Sequence, residues 1–339
     1  MNLVERIDSL IALKMNQYQI PGLAIGVIRN DTVVLTKGYG ARSIKAPPLV
    51  TEQSVFHTAS ISKLFTAQAI AQLIAEGQMS LDDKLVAWIP ELSYKDPRVT
   101  TITIKQLLNS TSGLPDVHNY HWSNNHQADN SLEEYVLGLN LQLDADPGSA
   151  YSYSNLGYNL LGYVIEKCTS LTFEDYLQTN ILEKYGMQQS DFRAFQIPDS
   201  LRTSPHSKKR LNGRIYERSV YPYTREHAPS STLNASVHDL SRWMLAFLRQ
   251  LEDPATDAIY RQMIEPSFTA YPHIGLGFQL YDFTGTQAVG HFGGDKGFRS
   301  FLMMIPDQQI GVVVLGNCDY EEDFRQEIVH AITNWMIEE

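Results

Sequence analysis

The tetrapeptide Ser60-Ile61-Ser62-Lys63 stands at the head of an apolar run over residues 64–75. In a helix, positions i and i+3 lie on one face about 5 to 6 Å apart, so Ser60 and Lys63 would be neighbours there. A serine hydroxyl becomes a nucleophile when a base takes its proton, and a lysine whose pKa is lowered by burial can be that base. A capped surface helix explains the tetrapeptide equally well, so other segments must decide.

A second cluster follows the turn at Pro147-Gly148 and has the sequence Tyr151-Ser152-Tyr153-Ser154-Asn155. A nearby lysine ammonium favours the anionic form of a phenol, so Tyr153 is a candidate base or proton relay for Lys63. Asn155 has one acceptor and two donors with which to orient Lys63 and a substrate amide. The structural alternative is that Asn155 caps the following helix and that Tyr153 is a packing aromatic.

The third cluster is Gly290-His291-Phe292-Gly293-Gly294, which lies between predicted strands near the C-terminal end of the sequence. Glycines on both sides of a histidine let the backbone approach a ligand closely, and a free N–H there can stabilise an oxyanion. A glycine-rich β-turn is the structural alternative. His273-Ile274-Gly275 has the same His-any-Gly pattern, but His291 is preferred because of its flanking glycines and the strand predicted over 301–305.

Strand patterns occur at both ends of the chain. The predicted strands are residues 23–28, 33–36, 301–305 and 310–315, with a weaker one around 278–282. An isolated two-stranded hairpin is marginal in water, so both ends should contribute to one antiparallel sheet. Helical periods over 1–15 and 321–337 add a helix at each end.

The middle of the chain has mainly helical patterns. These cover residues 104–108, 132–139, 156–167, 173–185 and 237–251. We therefore predict an α/β (α+β) fold in which a discontinuous sheet domain, 1–75 and 270–339, holds an inserted, mainly helical domain, 76–269. The active site is expected between the two domains.

Composition limits the classes of partner. With 27 basic and 38 acidic residues the formal net charge is −11, which gives little attraction for nucleic acid or anionic lipid. Cys168 and Cys318 lack metal-ligand spacing and predict no disulfide framework. No apolar run reaches the roughly 18 residues of a membrane span. We expect a soluble protein, cytoplasmic if Met1 is the native start and periplasmic or secreted if a signal peptide was removed.

Taken in order, the three clusters resemble the three motifs of the serine β-lactamase and penicillin-binding protein superfamily. Within that superfamily they look like the branch of class C β-lactamases, D-alanyl-D-alanine carboxypeptidases and their esterase relatives. Residues 107–114, 147–148 and 297–300 fit the same pattern. The resemblance covers nearly the whole chain and implies a β-lactamase/transpeptidase-like fold, in which terminal helices flank an antiparallel sheet and a helical domain is inserted.

The resemblance also implies roles for the motif residues. Ser60 would be the nucleophile that forms an acyl-enzyme, Lys63 its base, and Tyr153 the general acid and base toward the leaving group and the deacylating water. The N–H groups of Ser60 and Gly294 would form an oxyanion hole, a device worth about 3 to 4 kcal/mol per donor. The substrate-binding residues implied in this way are Asn155, His291, Gly293 and Gly294.

The third motif departs from the Lys-Thr-Gly of many β-lactamases. His291-Phe292-Gly293 lacks the permanent cation and the hydroxyl that help to bind a substrate carboxylate. We therefore expect an esterase or a D-amino-acid peptidase ahead of a β-lactamase. The bulky, apolar Phe292 favours an uncharged acyl group, whereas Arg299 is a candidate contact for a substrate carboxylate. If neutral His291 assists, activity should fall as it protonates, near pH 6.5 when its pKa is unperturbed. A β-lactamase and a non-catalytic ligand-binding module are the alternatives.

The long loop over residues 112–130 exceeds the usual loop length, which indicates a functional wall or a mobile segment. Some of its residue types suit zinc, namely His118, His121, His126 and Asp129. Interleaved Asn and Gln fit a polar loop equally well, and we expect neither a metal nor a cofactor. Tyr120 and Trp122 are predicted to form part of the wall around a small-molecule or peptide substrate.

Overall fold

The structure is a computed structural model that describes residues 2–45 and 48–338. Its main strands are β1 (Gly22–Arg29), β2 (Thr32–Gly40), β7 (Gln279–Phe283), β8 (Thr286–Asp295), β9 (Phe298–Ile305) and β10 (Ile310–Gly316). They form one six-stranded sheet in the order β2-β1-β10-β9-β8-β7, with every neighbouring pair antiparallel. Two short pairs join β3 (Phe56–His57) to β6 (Asn234–Ala235) and β4 (His206–Lys208) to β5 (Ile215–Glu217).

Most of the helices lie between the two groups of main strands in sequence. They are α1 (Leu3–Tyr18), α2 (Ser62–Ala75), α3 (Leu85–Trp88), α4 (Ile104–Leu108), α5 (Ser131–Leu137), α6 (Asn155–Thr169), α7 (Phe173–Leu177), α8 (Ala228–Ser231), α9 (Val237–Glu252), α10 (Ala258–Gln262) and α11 (Asp323–Glu338). A π-turn, Gln178–Leu182, continues α7. Among the described residues, no helix combines the length and the apolar character that a bilayer crossing requires.

The sheet joins segments that are far apart in sequence. β1 pairs with β10 from Leu23 opposite Gly316 to Arg29 opposite Ile310. β1 and β2 are joined at Asn30 and Asp31, whose φ angles of 47° and 63° suit a tight hairpin. The predicted antiparallel sheet with strands from both ends of the chain is confirmed, whereas the domain boundaries at 75/76 and 269/270 remain a prediction.

Alternate side chains of the central strands enter two separate cores. On one face of the sheet, Ile25 belongs to a cluster with Ile11 of α1 and Ile332 of α11. On the other face, Ile28 and Val313 belong to a larger cluster that includes the buried sides of α2 and α9. A fully buried aliphatic side chain stabilises the fold by roughly 1.5 to 3 kcal/mol, so these cores hold the sheet firmly between two helical layers.

The glycine-rich cluster lies on a strand, whereas the pattern placed it between strands. β8 runs through residues 290–294, with Gly293 opposite Ser300 of β9. On its other edge, β8 pairs with β7 only as far as Gly290, which lies opposite Gln279. Beyond Gly290 no described strand pairs with this edge of β8, and the Phe292 N–H donates instead to the Gln279 side chain at 3.1 Å.

Candidate active site

Ser60 lies in the 3-10 turn Ala59–Ile61 that leads directly into α2. Ala59 has a φ of 51°, in the left-handed region that costs a non-glycine residue roughly 1 to 3 kcal/mol. The turn is held from both sides, because the Thr58 N–H donates to the Leu233 carbonyl at 2.8 Å and the Thr58 carbonyl accepts from Ser300 Oγ at 2.7 Å. These bonds fix the position of the nucleophile candidate.

Lys63 lies one helical turn after Ser60, as the spacing predicts, and its side chain is buried with 1% exposure. Its Nζ is 3.1 Å from Ser60 Oγ, 2.6 Å from Asn155 Oδ1 and 2.7 Å from the Ser230 carbonyl oxygen. Burial lowers the pKa of Lys63 to about 7, against the opposing effect of the Asp116 and Asp295 charges. At neutral pH a large share of this amine is therefore unprotonated and able to accept a proton.

The neighbours of the Lys63 nitrogen fix the direction of proton transfer. Asn155 Oδ1 and the Ser230 carbonyl oxygen can only accept hydrogen bonds, so each takes one N–H of the amine. A neutral amine has two hydrogens and one lone pair, and the lone pair is then left for Ser60 Oγ. The Ser60 hydroxyl can thus donate to Lys63 while it accepts from Tyr153.

Tyr153 contacts the nucleophile from a second side. Its hydroxyl donates to Ser60 Oγ at 2.8 Å, and Lys63 Nζ lies 4.9 Å from the centre of its ring. Burial raises the pKa of Tyr153 far above the ordinary value of a phenol, although the bond to Ser60 acts in the opposite direction. The anionic form that a nearby lysine ammonium would favour is therefore disfavoured here, because burial has the largest effect on the pKa of Tyr153. Tyr153 is a neutral proton donor.

Asn155 is the first residue of α6, and the helix cap is Ser154, whose side chain accepts from the Gly157 N–H. The side-chain amide of Asn155 does not cap the helix. Instead, Asn155 Nδ2 donates to both Asp116 carboxylate oxygens, at 3.0 and 3.1 Å. This arrangement directs Asn155 Oδ1 at Lys63. Sequence reasoning missed Asp116, although it is the lone carboxylate between Asp96 and Asp129 in the chain.

His291 and Gly293 lie on the same face of β8, toward Ser60. A Cβ at Gly293 would lie 2.3 Å from the Thr58 carbonyl oxygen and 3.3 Å from the Ser60 nitrogen, so only glycine fits. The His291 ring centre is 6.1 Å from that of Tyr153. Burial, and then Lys63, lower the pKa of His291 to about 3. Protonation of His291 is therefore not expected to lower activity near pH 6.5, because burial keeps the ring neutral far below that pH.

Phe292 points away from Ser60, as alternation along a strand requires. Its ring stacks on Phe301 at 3.7 Å, and the Arg325 guanidinium of α11 lies 5.1 Å from the ring centre. This geometry contradicts the expectation that Phe292 favours an uncharged acyl group, because its ring packs against Phe301 and Arg325.

Tyr120 and Trp122 stack with their ring centres 4.7 Å apart, and both contact the ring of His227. Trp122 lines a cavity of about 670 Å³, together with Arg202 and Tyr221. The ring of Tyr221 lies 6.1 Å from that of His57, the last residue of β3 before the Ser60 turn. These aromatic side chains therefore join the cavity to the segment that carries the nucleophile candidate.

Arg299 is the predicted site residue that the structure does not bring to Ser60. Its guanidinium donates to the carbonyl oxygens of Asp295, Phe298 and Asp319 and pairs with Glu322 at 3.1 Å. These contacts engage its N–H groups at the end of the β8–β9 hairpin.

The loop with metal-ligand residue types has other partners. His126 Nδ1 lies 3.0 Å from a carboxylate oxygen of Glu226, and Asp129 pairs with Arg225. Within residues 2–45 and 48–338, no group of three or more His, Cys, Asp or Glu side chains is arranged to hold a metal ion.

Comparison with known proteins gives matches over nearly the whole chain. The sequence model of the Beta-lactamase family matches residues 7–333. Protein flp of Staphylococcus aureus (strain MW2) is 28% identical over 331 residues, which are 94% of this chain and 64% of the relative. Penicillin-binding protein 4 of Amycolatopsis lactamdurans is 26% identical over 331 residues, 92% of this chain and 84% of the relative. The chain thus spans just under two thirds of the length of the S. aureus relative.

Among solved structures, the octameric penicillin-binding protein homologue from Pyrococcus abyssi superimposes with a TM-score of 0.86 at 26% sequence identity. The match covers 99% of this chain and 78% of that one. The family match spans nearly the whole sequence, and the fold agrees over nearly every residue. The chain therefore belongs to the Beta-lactamase family, within the superfamily of serine β-lactamases and penicillin-binding proteins.

Proposed function

We propose that this protein is a serine hydrolase that cleaves an ester or amide bond through an acyl-enzyme on Ser60. The observation that carries the proposal is the convergence of two proton-transfer groups on one hydroxyl: Lys63 Nζ at 3.1 Å and Tyr153 OH at 2.8 Å from Ser60 Oγ. A pKa near 7 makes Lys63 an effective base at neutral pH, because general-base catalysis is most efficient when the pKa lies near the working pH.

Acylation follows from these positions. Neutral Lys63 takes the Ser60 proton as Oγ forms a bond to the carbonyl carbon of the substrate. The oxygen of the tetrahedral intermediate accepts hydrogen bonds from the N–H groups of Ser60 and Gly294. The bond to the leaving group then breaks as Tyr153 gives that group a proton. Lys63 returns the proton it received to Tyr153, so both groups regain their starting states.

Deacylation uses the same residues in the reverse order. A water molecule gives a proton to the Lys63–Tyr153 pair as its oxygen attacks the acyl carbon. The bond to Ser60 Oγ then breaks and Oγ is protonated again. Asn155 takes part by position, since its amide oxygen is 2.6 Å from Lys63 Nζ and keeps the amine aimed at Oγ. Asn155 is also the proposed contact for a substrate amide.

The charges around the site favour an uncharged substrate group, so we propose an esterase or a D-amino-acid peptidase ahead of a β-lactamase. Neutral His291 stands where many β-lactamases carry a lysine. The cations that contact the motifs are already engaged: Lys63 binds an amide and a carbonyl oxygen, and Arg299 and Arg325 bind backbone carbonyls. To pair with one of these cations, a substrate carboxylate would have to displace a hydrogen bond that the cation already makes.

The test is hydrolysis of short-chain p-nitrophenyl esters and of a chromogenic cephalosporin by the wild type, Ser60→Ala and the exposed-site control Ser149→Ala. We expect ester turnover by the wild type and the control, slow turnover of the cephalosporin, and no acylation of Ser60→Ala. Mass spectrometry after incubation with a phosphonate should place one label on Ser60. Equal turnover by wild type and Ser60→Ala would remove Ser60 from the mechanism, and labelling without turnover would instead favour a ligand-binding module.

A further inference from the structure

The peptide group between Gly293 and Gly294 has its carbonyl oxygen bound by a buried cation. Arg325 of α11 is 7% exposed, and its Nη1 donates to the Gly293 carbonyl at 2.7 Å and more weakly to the Ser300 carbonyl at 3.3 Å. Its Nε donates to the Glu322 carbonyl at 3.1 Å, and its Nη2 to the Glu322 carboxylate at 3.2 Å. The ring of Phe292 packs against the same guanidinium. Arg325 is therefore fixed in one orientation.

The geometry of the hairpin determines where the other end of this peptide points. Asp295 lies opposite Phe298 across a two-residue turn, so Gly294 opposes Arg299 and Gly293 opposes Ser300. In an antiparallel ladder, hydrogen-bonded and non-hydrogen-bonded pairs alternate from the turn. The Gly293 carbonyl thus points toward β9 and Arg325. The peptide is planar and trans, so the Gly294 N–H points the opposite way, to the edge of β8 beyond its pairing with β7.

We infer that Arg325 is a positioning residue that orients and polarises the Gly293–Gly294 peptide, so that the Gly294 N–H is a stronger donor to the oxyanion. The inference rests on the proposed function. A hydrogen bond to a charged donor is roughly twice as strong as one between neutral groups. Drawing electron density toward the carbonyl oxygen also makes the N–H of the same peptide more positive, as in other chains of hydrogen bonds.

Two further observations support this role. Burial lowers the pKa of Arg325 only to about 10, so it remains a cation at neutral pH. The peptide also lies against the nucleophile, since a Cβ at Gly293 would be 3.3 Å from the Ser60 nitrogen. A change in the orientation of this peptide would therefore alter the distance between the two oxyanion donors, which must act on the same oxygen.

The kinetic test compares Arg325→Met and Arg325→Lys with a matched control, Arg261→Met. Arg261 also donates to two backbone carbonyls, those of Thr256 at 3.0 Å and Asp253 at 2.6 Å. Losing an oxyanion donor outright costs about 100- to 1000-fold in kcat, so losing only its support should lower kcat on the order of 10-fold in Arg325→Met, with KM little changed. Arg325→Lys should recover most of that loss, and Arg261→Met should match the wild type.

Two spectroscopic readouts separate this role from a merely structural one. In the acyl-enzyme, the infrared carbonyl band should move to higher frequency in Arg325→Met, because weaker hydrogen bonds polarise the carbonyl less. In protein labelled with 15N-glycine, the Gly294 resonance should move between wild type and Arg325→Met without any substrate present. The nitrogen of a peptide responds to hydrogen bonding at the carbonyl of the same peptide group.

An active wild type with an unchanged kcat in Arg325→Met, or an equal loss in Arg261→Met, would overturn the inference. So would a Gly294 resonance that does not move. If the wild type forms no acyl-enzyme but the Gly294 resonance moves, the proposed function fails while the positioning role of Arg325 stands.

Discussion

The substitution Asp116→Asn tests whether Lys63 is the base that limits the reaction at low pH. Asp116 accepts from the Asn155 N–H at 2.8 Å and from Asn155 Nδ2, and its charge raises the pKa of Lys63 against the larger effect of burial. Asparagine keeps the shape and an oxygen for both Asn155 donors but removes the charge. The ammonium form of Lys63 is then less favoured, so its pKa should fall.

The size of the change follows from the path between the two charges. Two hydrogen bonds and the Asn155 amide separate them by about 7 Å, and Coulomb's law at an effective dielectric constant of 20 gives about 2 kcal/mol. That energy equals a pKa change of about 1.5 units. The low-pH limb of kcat/KM should therefore move from near pH 7 to roughly pH 5.5, since this limb reports the base of the free enzyme.

The assay is ester hydrolysis from pH 4.5 to 9 by wild type, Asp116→Asn and a control, Asp82→Asn, whose side chain is exposed. We expect the control to have the wild-type profile. The plateau of Asp116→Asn should fall less than about 10-fold, because an asparagine at this position can still accept the hydrogen bonds that hold Asn155 in place. A low-pH limb that stays in place in Asp116→Asn would refute the assignment of that limb to Lys63.

Three further substitutions test other features of the site. Gly293→Ala places a Cβ 2.1 Å from Ser300 Oγ, so it should lower both activity and, by about 1 to 3 kcal/mol, stability. The control Gly157→Ala has no neighbour closer than 3.7 Å and should match the wild type in urea unfolding and in ester assays. Because burial lowers the pKa of His291 to about 3, the pH profile of His291→Asn between pH 5 and 8 should keep the wild-type shape, and a lost or displaced limb would contradict this. Burial also lowers the pKa of His227 to about 3, so the unfolded chain binds a proton below about pH 6.5 that the folded chain does not. Stability should then fall by about 2 kcal/mol between pH 6.5 and 5 through His227 alone, and His227→Gln should lose that much less in urea unfolding over the same range.

Features with a local signal could be predicted from the sequence. The spacing of Ser60 and Lys63 on one helix needs only the helical repeat, and the hairpin at Asn30-Asp31 needs only the conformations those residues tolerate. The order of the three motifs then identified the fold with which the observed sheet agrees.

Features that depend on tertiary structure could not be predicted in this way. The carboxylate of Asp116 and the Ser230 carbonyl reach the Lys63 cluster from segments with no motif of their own. The charge states of Tyr153 and His291 follow from burial, which a list of neighbouring residues in the chain does not give. The side of the sheet that Phe292 faces could have been predicted by alternation, had the glycine-rich segment been recognised as part of β8.

The pairing of β1 with β10 has a consequence for how the protein is made. A ribosome adds roughly 5 to 20 residues per second, so β1, at Gly22–Arg29, waits on the order of 15 to 60 s for the strand at Ile310–Gly316 that pairs with it. During that time an almost wholly apolar strand has an unsatisfied edge. Contacts between segments this distant also slow folding itself. A nascent chain of this protein should therefore depend on chaperones that shield β1, and truncation before residue 310 should leave a polypeptide prone to aggregate.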